Sequence, residues 1–132
     1  MIYALDSDII SYILKNHNNI KANFNNAIGN DDLYSIPPLV YYEVKRGLIY
    51  KKAYRKLQDF TDLYNDSVKS EMTLEIWEKA IELYARLKSQ GKMIGDGDIF
   101  IAAFCIINDY TLITNNTKHY ANIPELKKVN IV

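Results

Sequence analysis

The sequence has few of the residues that many catalytic and binding motifs require. Its 132 residues include one cysteine, two histidines and five glycines. The single cysteine, Cys105, excludes an internal disulfide bond, and its apolar neighbours predict a small core residue. The sequence has no HExxH, CxxC or glycine-rich phosphate loop, and His17 lies in an asparagine-rich stretch typical of a solvated loop. Nucleophilic catalysis by serine or cysteine therefore lacks a convincing base.

The chain also lacks long apolar runs and a net charge. The longest apolar runs, around 2–5 and 99–107, are too short to span a bilayer, and no signal sequence precedes them. We therefore expect a cytoplasmic protein without a membrane partner. The 16 basic and 16 acidic residues cancel, which gives only weak support for nucleic-acid binding through a general positive field. The length and composition predict a single globular domain over 1–132.

Basic residues are nevertheless concentrated in one part of the sequence. This basic stretch contains Lys45, Arg46, Lys51, Lys52, Arg55 and Lys56. Tyr50 and Tyr54 lie among them and are candidates for stacking on an unpaired base, although tyrosines at such positions are more often core or interface residues. The pattern is equally typical of a solvated helix face and of a patch facing phosphates. Lys45 and Arg46 are the candidate RNA-binding residues.

Short apolar strands alternate with amphipathic helices. Strands are predicted at 2–5, 33–36, 110–114 and 129–132, with a brief strand centred on Val68, and helices at about 7–14, 39–50, 53–64, 73–91 and 98–108. Residues 16–29 also carry apolar side chains at helical spacing. In the helix that begins at Thr73, the predicted apolar stripe consists of Ile76, Trp77, Ala80, Leu83, Tyr84 and Leu87. Because no hairpin turns link the strands, the pattern predicts an α/β domain with a parallel sheet.

Three carboxylates lie at positions that indicate either a structural role or a ligand site. Asp6 follows the first strand, where parallel sheets place ligand sites, although it is equally suited to cap the next helix. Glu43 lies beside the apolar stripe of its helix and therefore needs an ion pair or a metal. Asp98 lies in the first turn of its helix, in line with an apolar face. An acid at that position is also explained by helix capping or by a favourable interaction with the helix dipole. Asp96 is an equally good cap for that helix.

The three acids also form a joint pattern with the asparagines that follow the last long strand. Clusters of oxygen ligands suit Mg²⁺ or Mn²⁺, because Zn²⁺ prefers imidazole and thiolate ligands. A different enzyme class stays open, since a strand ending in Asp6-x-Asp8 also resembles the nucleophile motif of haloacid-dehalogenase-like phosphatases. That interpretation makes Asp6 a covalent nucleophile and gives Glu43 no special role.

Four sequence blocks carry a family resemblance. The blocks are YALDSDIISY at 3–12, YEVKRG at 42–47, IGDGDIFIAA at 94–103 and TNNTKHY at 114–120. In that order they resemble the blocks of PIN-domain ribonucleases, the toxins of the VapC type. The resemblance implies a PIN-like three-layer fold, with a short-stranded central parallel sheet flanked by helices. It also implies a metal-dependent endoribonuclease in which Asp6, Glu43 and Asp98 bind Mg²⁺ or Mn²⁺. Asn116 matches the fourth position of the metal site, and Ser7 matches a supporting hydroxyl.

The chain departs from the family pattern at two positions. Asp8 stands where asparagine is common, and we expect it to cap the first helix. His119 stands where an acid often precedes the aromatic residue, so a metal ligand or its support is absent; contact with a phosphate and a solvated loop are the two alternatives. These departures leave open an alternative function, that of a catalytically weak PIN-like module that binds RNA or protein.

The resemblance also implies partners for the chain. It predicts an RNA substrate, with transfer RNA as one candidate by analogy with the family. It further predicts a homodimer and a small cognate antitoxin that covers the carboxylates. Nothing in the composition bears on either protein partner.

Overall fold

The structure is a computed structural model that describes residues 1–30 and 33–131. The strands within these ranges are β1 (Ile2–Leu5), β2 (Leu33–Ser35), β3 (Thr111–Ile113) and β4 (Lys128–Val129). The α-helices are α1 (Ser7–Ile13), α2 (Ile20–Ile28), α3 (Pro38–Tyr50), α4 (Tyr54–Asn65), α5 (Leu74–Ser89) and α6 (Asp96–Asn108). Short 3-10 helices cover His17–Asn19 and Thr117–Tyr120. The predicted α/β class is confirmed.

The four strands form one sheet in the order β2-β1-β3-β4, and every neighbouring pair is parallel. Tyr3 of β1 pairs with Tyr34 on one side and Thr111 on the other. The chain leaves β1 towards β2 and returns to β3 on the opposite side of β1. Parallel sheets of this kind bind ligands beyond the carboxyl ends of the strands at such a reversal. A ligand site is therefore expected beyond the carboxyl ends of β1 and β3.

Local sequence accounts for the starts of the helices that flank the sheet. α3 begins at Pro38, because proline has the φ of a first helical turn and no N–H that needs a partner. Thr73 caps α5, with its hydroxyl accepting from the N–H of Ile76 at 3.3 Å. α6 begins at Asp96, two residues before the predicted start, and Gly95 is its N-cap. The earlier start places Asp96, Gly97 and Asp98 in one helical turn.

α6 is the central helix of the hydrophobic core. Ile99, Ile101 and Phe104 are at most 2% exposed, and Ala102, Ala103 and Cys105 are fully buried. Because buried side chains project on all sides, the helix is enclosed by its neighbours. The prediction that Cys105 is a core residue is confirmed. No helix in the described part of the chain has the length and apolarity to cross a bilayer.

Several details predicted from the sequence were wrong. The apolar stripe predicted for α5 is buried only in part. Its other four members are at most 3% exposed, whereas Trp77 and Tyr84 are 44% and 41% exposed, because only one side of α5 packs on the core. The last strand covers Lys128–Val129 rather than 129–132, and Val132 lies outside the described residues. The strand predicted around Val68 is a single parallel bridge to Ser35.

His17 is 45% exposed, as predicted for a solvated residue, but it lies in a short 3-10 helix rather than in a loop and has a partner. Its Nδ1 lies 2.9 Å from Oδ2 of Asp59, whose side chain is 8% exposed. The pair joins the 3-10 helix after α1 to α4. A hydrogen-bonding partner 42 residues away along the sequence is not visible in local composition.

Candidate active site

Asp6 lies where β1 ends and α1 begins. Its N–H donates to the carbonyl of Ile113 at 3.1 Å, which extends the pairing of β1 with β3 by one residue. It is also the N-cap of α1, because Oδ1 accepts from the N–H of Ser7 at 2.8 Å. The side chain is 7% exposed, and the Thr114 side chain also forms a hydrogen bond with it. Asp6 therefore both caps α1 and lies at the carboxyl end of β1, where a ligand site is expected.

Glu43 and Asp98 reach the same edge of the sheet from two helices. Glu43 lies in the middle of α3, and Asp98 lies in the first turn of α6. A Cβ atom added to Gly97 would lie 3.8 Å from Oε2 of Glu43 and 3.3 Å from Cδ2 of Leu39. The Glu43 carboxylate therefore packs against the start of α6, beside Asp98.

The three carboxylates repel one another. Burial raises the pKa of Asp6, and the charges of Asp8 and Asp98 raise it further, against the hydrogen bonds from Thr114 and Ser7. Burial also raises the pKa of Glu43. Arg46 opposes that shift, whereas Asp6 and Asp98 add to it. The cation expected near Glu43 is thus Arg46 of its own helix, and it does not cancel the repulsion.

Tyr120 and His119 hold Asp98 in place. The Tyr120 hydroxyl lies 3.3 Å from Oδ2 of Asp6 and 3.2 Å from Oδ1 of Asp98. Nδ1 of His119 lies 3.1 Å from Oδ2 of Asp98. Burial and the two carboxylates raise the pKa of Tyr120, so the hydroxyl keeps its proton and donates to one carboxylate at a time. Neither the role of Tyr120 nor the contact of His119 with Asp98 is predictable from local sequence.

Asp8 does not cap α1 as predicted, because Asp6 occupies that position. Oδ2 of Asp8 accepts from the N–H of Asn115 at 3.0 Å and so joins α1 to the segment after β3. Oδ1 of Asp8 is buried and has no hydrogen-bond partner among the described residues. A buried carboxylate oxygen without a partner is costly and favours a nearby cation or water.

The remaining candidate residues are distributed unevenly around the carboxylates. Ser7 lines a groove together with Glu43. Asn116 is exposed beyond β3, where its N–H donates to Oγ1 of Thr114 at 3.0 Å and its side chain caps no helix. Asp96 is exposed and lines a separate cavity of about 200 Å³ between α5 and α6. The geometry therefore favours Asp98 over Asp96 as the acid of this helix.

The two candidate RNA-binding residues of α3 lie on different sides of that helix. Nζ of Lys45 donates to the Tyr41 hydroxyl at 2.8 Å, and the Tyr41 ring packs against Tyr64 of α4. Arg46 lies over the Tyr42 ring, 4.7 Å from its centre, and is the cation that influences Glu43. Arg46 is thus near the carboxylates, whereas Lys45 is directed towards α4.

The donor atoms at this edge have the chemistry of a site for a hard divalent cation. The carboxylates of Asp6, Glu43 and Asp98, with the unpartnered Oδ1 of Asp8, provide oxygen ligands of the kind that Mg²⁺ and Mn²⁺ prefer. As placed, however, no three Asp, Glu, His or Cys side chains among residues 1–30 and 33–131 form a group that could hold one ion. The residue types fit a divalent ion, and coordination requires the side chains to rotate towards a common point.

Comparisons with known proteins identify relatives over almost the whole chain. The family described as PIN domain matches residues 3–126. Ribonuclease VapC2 of Rickettsia felis is 28% identical over 130 residues, which cover 96% of this chain and 95% of the relative. Ribonuclease VapC1 of Haemophilus influenzae strain R2866 is 29% identical over 131 residues, which cover 96% of each chain.

Solved structures show the same fold. VapBC2 from Rickettsia felis, bound to a DNA fragment from its promoter, has a chain that is similar with a TM-score of 0.85 and 26% identity, covering 98% of both chains. VapBC-1 from nontypeable Haemophilus influenzae gives a TM-score of 0.77 at 27% identity, covering 99% of this chain and 98% of the other. The predicted arrangement of a short parallel sheet flanked by helices is confirmed by these similarities.

Replacing Tyr120 with phenylalanine should weaken metal binding. Tyr120→Phe removes the hydroxyl between Asp6 and Asp98, and partners of metal ligands typically contribute about tenfold or more to affinity. We expect the Mn²⁺ dissociation constant of the purified protein to rise about tenfold, as measured by titration without RNA. Tyr110→Phe is the matched control, since that hydroxyl contacts Oγ of Ser70 instead, at 2.7 Å. Equal Mn²⁺ affinity of the two variants would contradict the positioning role of Tyr120.

Neutralising Asp6 should stabilise the metal-free protein at neutral pH. Because the folded-state pKa of Asp6 is raised above its ordinary value near 3.8, the folded chain binds more protons than the unfolded chain between the two values. Stability is therefore lost as pH rises through that window. Asp6→Asn keeps a capping oxygen, so its melting temperature in EDTA should exceed that of the wild type at pH 7.

The advantage of Asp6→Asn should shrink as the pH is lowered towards 3.8, where the wild-type carboxylate is also protonated. Thermal unfolding measured across this range tests the dependence. Asp62→Asn is the control, because Asp62 is exposed on α4 and its contact with Gln58 survives as an amide. A stability difference for Asp6→Asn that is independent of pH would rule out the charge as its origin.

Proposed function

Because the chain belongs to the PIN-domain family, we propose that it is a metal-dependent endoribonuclease, the toxin of a type II toxin–antitoxin pair. The observation that carries the proposal is the proximity of Asp6, Glu43 and Asp98 to one another beyond the carboxyl ends of β1 and β3. Their mutual effect on the pKa values of Asp6 and Glu43 supports a shared site. The relatives named as ribonucleases align with almost the whole chain, which supports RNA as the substrate.

Each residue of the proposed site has a distinct role. Asp6, Glu43 and Asp98 hold the divalent ion, Mg²⁺ or Mn²⁺, which when bound lowers the pKa of a water molecule and offsets charge on the phosphate. Tyr120 fixes the separation of Asp6 and Asp98. Arg46 lies beside Glu43 and is placed to contact a phosphate oxygen.

Two supporting residues complete the proposed site. Ser7 presents its side chain to the groove beside Glu43, and Asn116 lies beyond β3, where its amide is able to reach a water or phosphate oxygen. The phosphatase interpretation has no comparable support, because it assigns no function to Glu43 or to the contact between Tyr120 and Asp98. The substrate is proposed to be cytoplasmic RNA, with transfer RNA as one candidate.

One observation favours a second function, that of a PIN-like module that binds RNA or protein with little catalysis. His119 and Tyr120 already occupy both oxygens of Asp98, and no three potential ligands in the described part of the chain are gathered around one point. If the cost of releasing Asp98 from these contacts is too high, RNA binding persists without cleavage. The cleavage assay described next separates the two functions.

Asp98→Asn should abolish RNA cleavage. The purified protein should convert a pool of total small RNA to discrete products with Mg²⁺ or Mn²⁺, and EDTA should prevent this. Loss of the Asp98 charge should lower the cleavage rate by about 100-fold or more, because loss even of a ligand's partner costs up to about that much. Gel analysis and sequencing of the products measure both the rate and the cleaved position.

Asp109→Asn is the matched control for this experiment. Asp109 is exposed at the end of α6 with φ of 57°, a backbone conformation that asparagine also accepts. Its cleavage rate should equal that of the wild type. Wild-type protein that binds Mn²⁺ and RNA but yields no products would contradict the nuclease and support the binding module.

We further propose that the toxin forms a homodimer through α5 and binds a small antitoxin. Leu74, Trp77, Ile81 and Tyr84 project from this helix and are 41–74% exposed. Contiguous apolar surfaces of this kind mark protein interfaces. The antitoxin is supported by structural neighbours that were solved as VapBC assemblies. Recovery of the toxin without a second small chain after co-expression with its cognate antitoxin would count against that partner.

Ile81→Asp should convert the dimer into monomers. Ile81 is 62% exposed in the single chain, so a charge there is tolerated by the monomer but not in an apolar interface. Sedimentation should give twice the mass of the 15.3 kDa chain for the wild type and one chain for the variant. Val129→Asp on the sheet edge, where Val129 is 42% exposed, is the control and should leave the dimer intact. A monomeric wild type, or a dimeric Ile81→Asp protein, would contradict this interface.

A further inference from the structure

One segment of the chain, residues 116–126, carries Tyr120 from the end of β3 towards β4. Backbone N–H groups along it donate to carbonyls three residues earlier, as Ile123 does to Tyr120 at 3.1 Å. The side chains of Tyr120, Ile123 and Leu126 are at most 3% exposed. Because a series of tight turns lacks the continuous ladder of a helix or a sheet, the position of Tyr120 depends on what anchors the segment.

Glu125 attaches the 116–126 segment to α5. Its Oε2 accepts from Nη2 of Arg86 at 2.8 Å and from Nζ of Lys79 at 3.2 Å. The three side chains are 21–32% exposed, so most of each is removed from water. Ion pairs that share a carboxylate and are partly buried hold their geometry better than an isolated exposed pair does.

α5 is in turn packed against α6, the helix that carries Asp98. The ring of Trp77 meets the ring of Phe100 edge-on, with their centres 4.9 Å apart. The 116–126 segment is therefore held to this pair of helices at both of its ends. The Tyr120 hydroxyl lies 3.2 Å from Oδ1 of Asp98 on α6, and Glu125 pairs with α5.

The anchor at Glu125 restricts how far Tyr120 is able to move from the carboxylates. The hydroxyl lies 3.3 Å from Asp6 and 3.2 Å from Asp98, near the long end of the range for a hydrogen bond between oxygens. A small further displacement therefore breaks the contact with one of the two acids. If the far end of the segment were released, such displacements would become more frequent.

We propose that Glu125 is a positioning residue of the metal site that acts through Tyr120. By fixing the 116–126 segment to α5, it keeps the Tyr120 hydroxyl between Asp6 and Asp98. The proposal rests on the proposed function in one respect, since it assumes that these carboxylates bind the divalent ion. It gives a role in metal binding to a residue on a different element from the ligands.

Hydrogen exchange of the metal-free protein tests the anchor without any ligand. Glu125→Ala removes both ion pairs to α5. The amides of Ala121 and Ile123, which donate to Lys118 and Tyr120, should then exchange about threefold faster, within the range of up to about fivefold that partly exposed ion pairs give. Mass spectrometry or NMR measures these rates.

Glu82→Ala is the matched control. Glu82 pairs with the same two cations, at 2.8 Å from Lys79 and 3.3 Å from Arg86, but all three residues belong to α5. The variant therefore loses an equal charge and two ion pairs without releasing the segment, and exchange at Ile123 should stay at the wild-type rate. Equal acceleration in both variants, or none in Glu125→Ala, would overturn the anchoring role.

Titration with Mn²⁺ in the absence of RNA measures the effect on the metal site. Glu125→Ala should raise the dissociation constant about threefold, because the Tyr120 hydroxyl is then displaced for part of the time. The rise should be smaller than the one of about tenfold expected for Tyr120→Phe, in which the hydroxyl is absent. Glu82→Ala should bind Mn²⁺ as the wild type does. Unchanged affinity in Glu125→Ala, or an equal loss in both variants, would overturn the proposal.

A double-mutant cycle shows whether Glu125 acts through Tyr120. Once the hydroxyl is absent, loss of the anchor has nothing further to displace. Glu125→Ala/Tyr120→Phe should therefore bind Mn²⁺ as tightly as Tyr120→Phe alone. Losses that multiply independently would show that the charge of Glu125 acts on the ion directly, and the positioning role would be wrong.

These outcomes separate the role of Glu125 from the nuclease activity. A wild type that binds Mn²⁺ without cleaving RNA contradicts the nuclease and leaves the positioning role in place. A wild type that cleaves RNA while Glu125→Ala matches Glu82→Ala in exchange and in Mn²⁺ affinity contradicts the positioning role alone. A wild type that binds no Mn²⁺ contradicts both.

Discussion

The repulsion between three carboxylates at one edge of the sheet is the constraint on which the rest of the structure depends. Asp6 is almost buried, and charges on Asp8 and Asp98 make its ionisation still less favourable. A charge in such a place persists only if surrounding groups compensate it and the backbone cannot relax away. Asp6 is fixed by the pairing of β1 with β3, through the bond from its N–H to Ile113. The buried core of α6 in turn fixes the helix that carries Asp98.

Several dipoles and donors offset this repulsion in part. Asp98 and Asp96 lie in the first turn of α6, where the partial positive charge of the helix N-terminus favours an acid. The Ser7 N–H and the Thr114 side chain form hydrogen bonds with Asp6, and the Tyr120 hydroxyl donates a hydrogen bond to either Asp6 or Asp98. None of these groups is a full cation. The compensation is therefore incomplete, which is the property expected of a set of carboxylates that binds a divalent ion.

Periodicity and strand ends made much of this arrangement predictable from the sequence. The strand before Asp6 and the helix that contains Glu43 are marked by local patterns, and these patterns give the side of the element on which each acid lies. The role of Tyr120 was not predictable, because its hydroxyl meets Asp6 across 114 residues of sequence. The pairing of His17 with Asp59 was missed for the same reason. Trp77 and Tyr84 belong to the predicted apolar stripe of α5 and are nevertheless largely exposed, because helical periodicity does not show how wide the buried face is.

The surroundings of the carboxylates differ on their two sides, and this difference determines how a substrate approaches. On one side, His119 and Tyr120 contact both oxygens of Asp98, and the Tyr120 side chain is fully buried. On the other side, Glu43 and Ser7 line an open groove between α1 and α3. Rigid positioning of Asp98 and open access at Glu43 are complementary features of a binding site, because the groups that hold a ligand must stay fixed while the ligand enters and leaves. The residues after β3 therefore support Asp98, and the residues of α1 and α3 line the open side of the site.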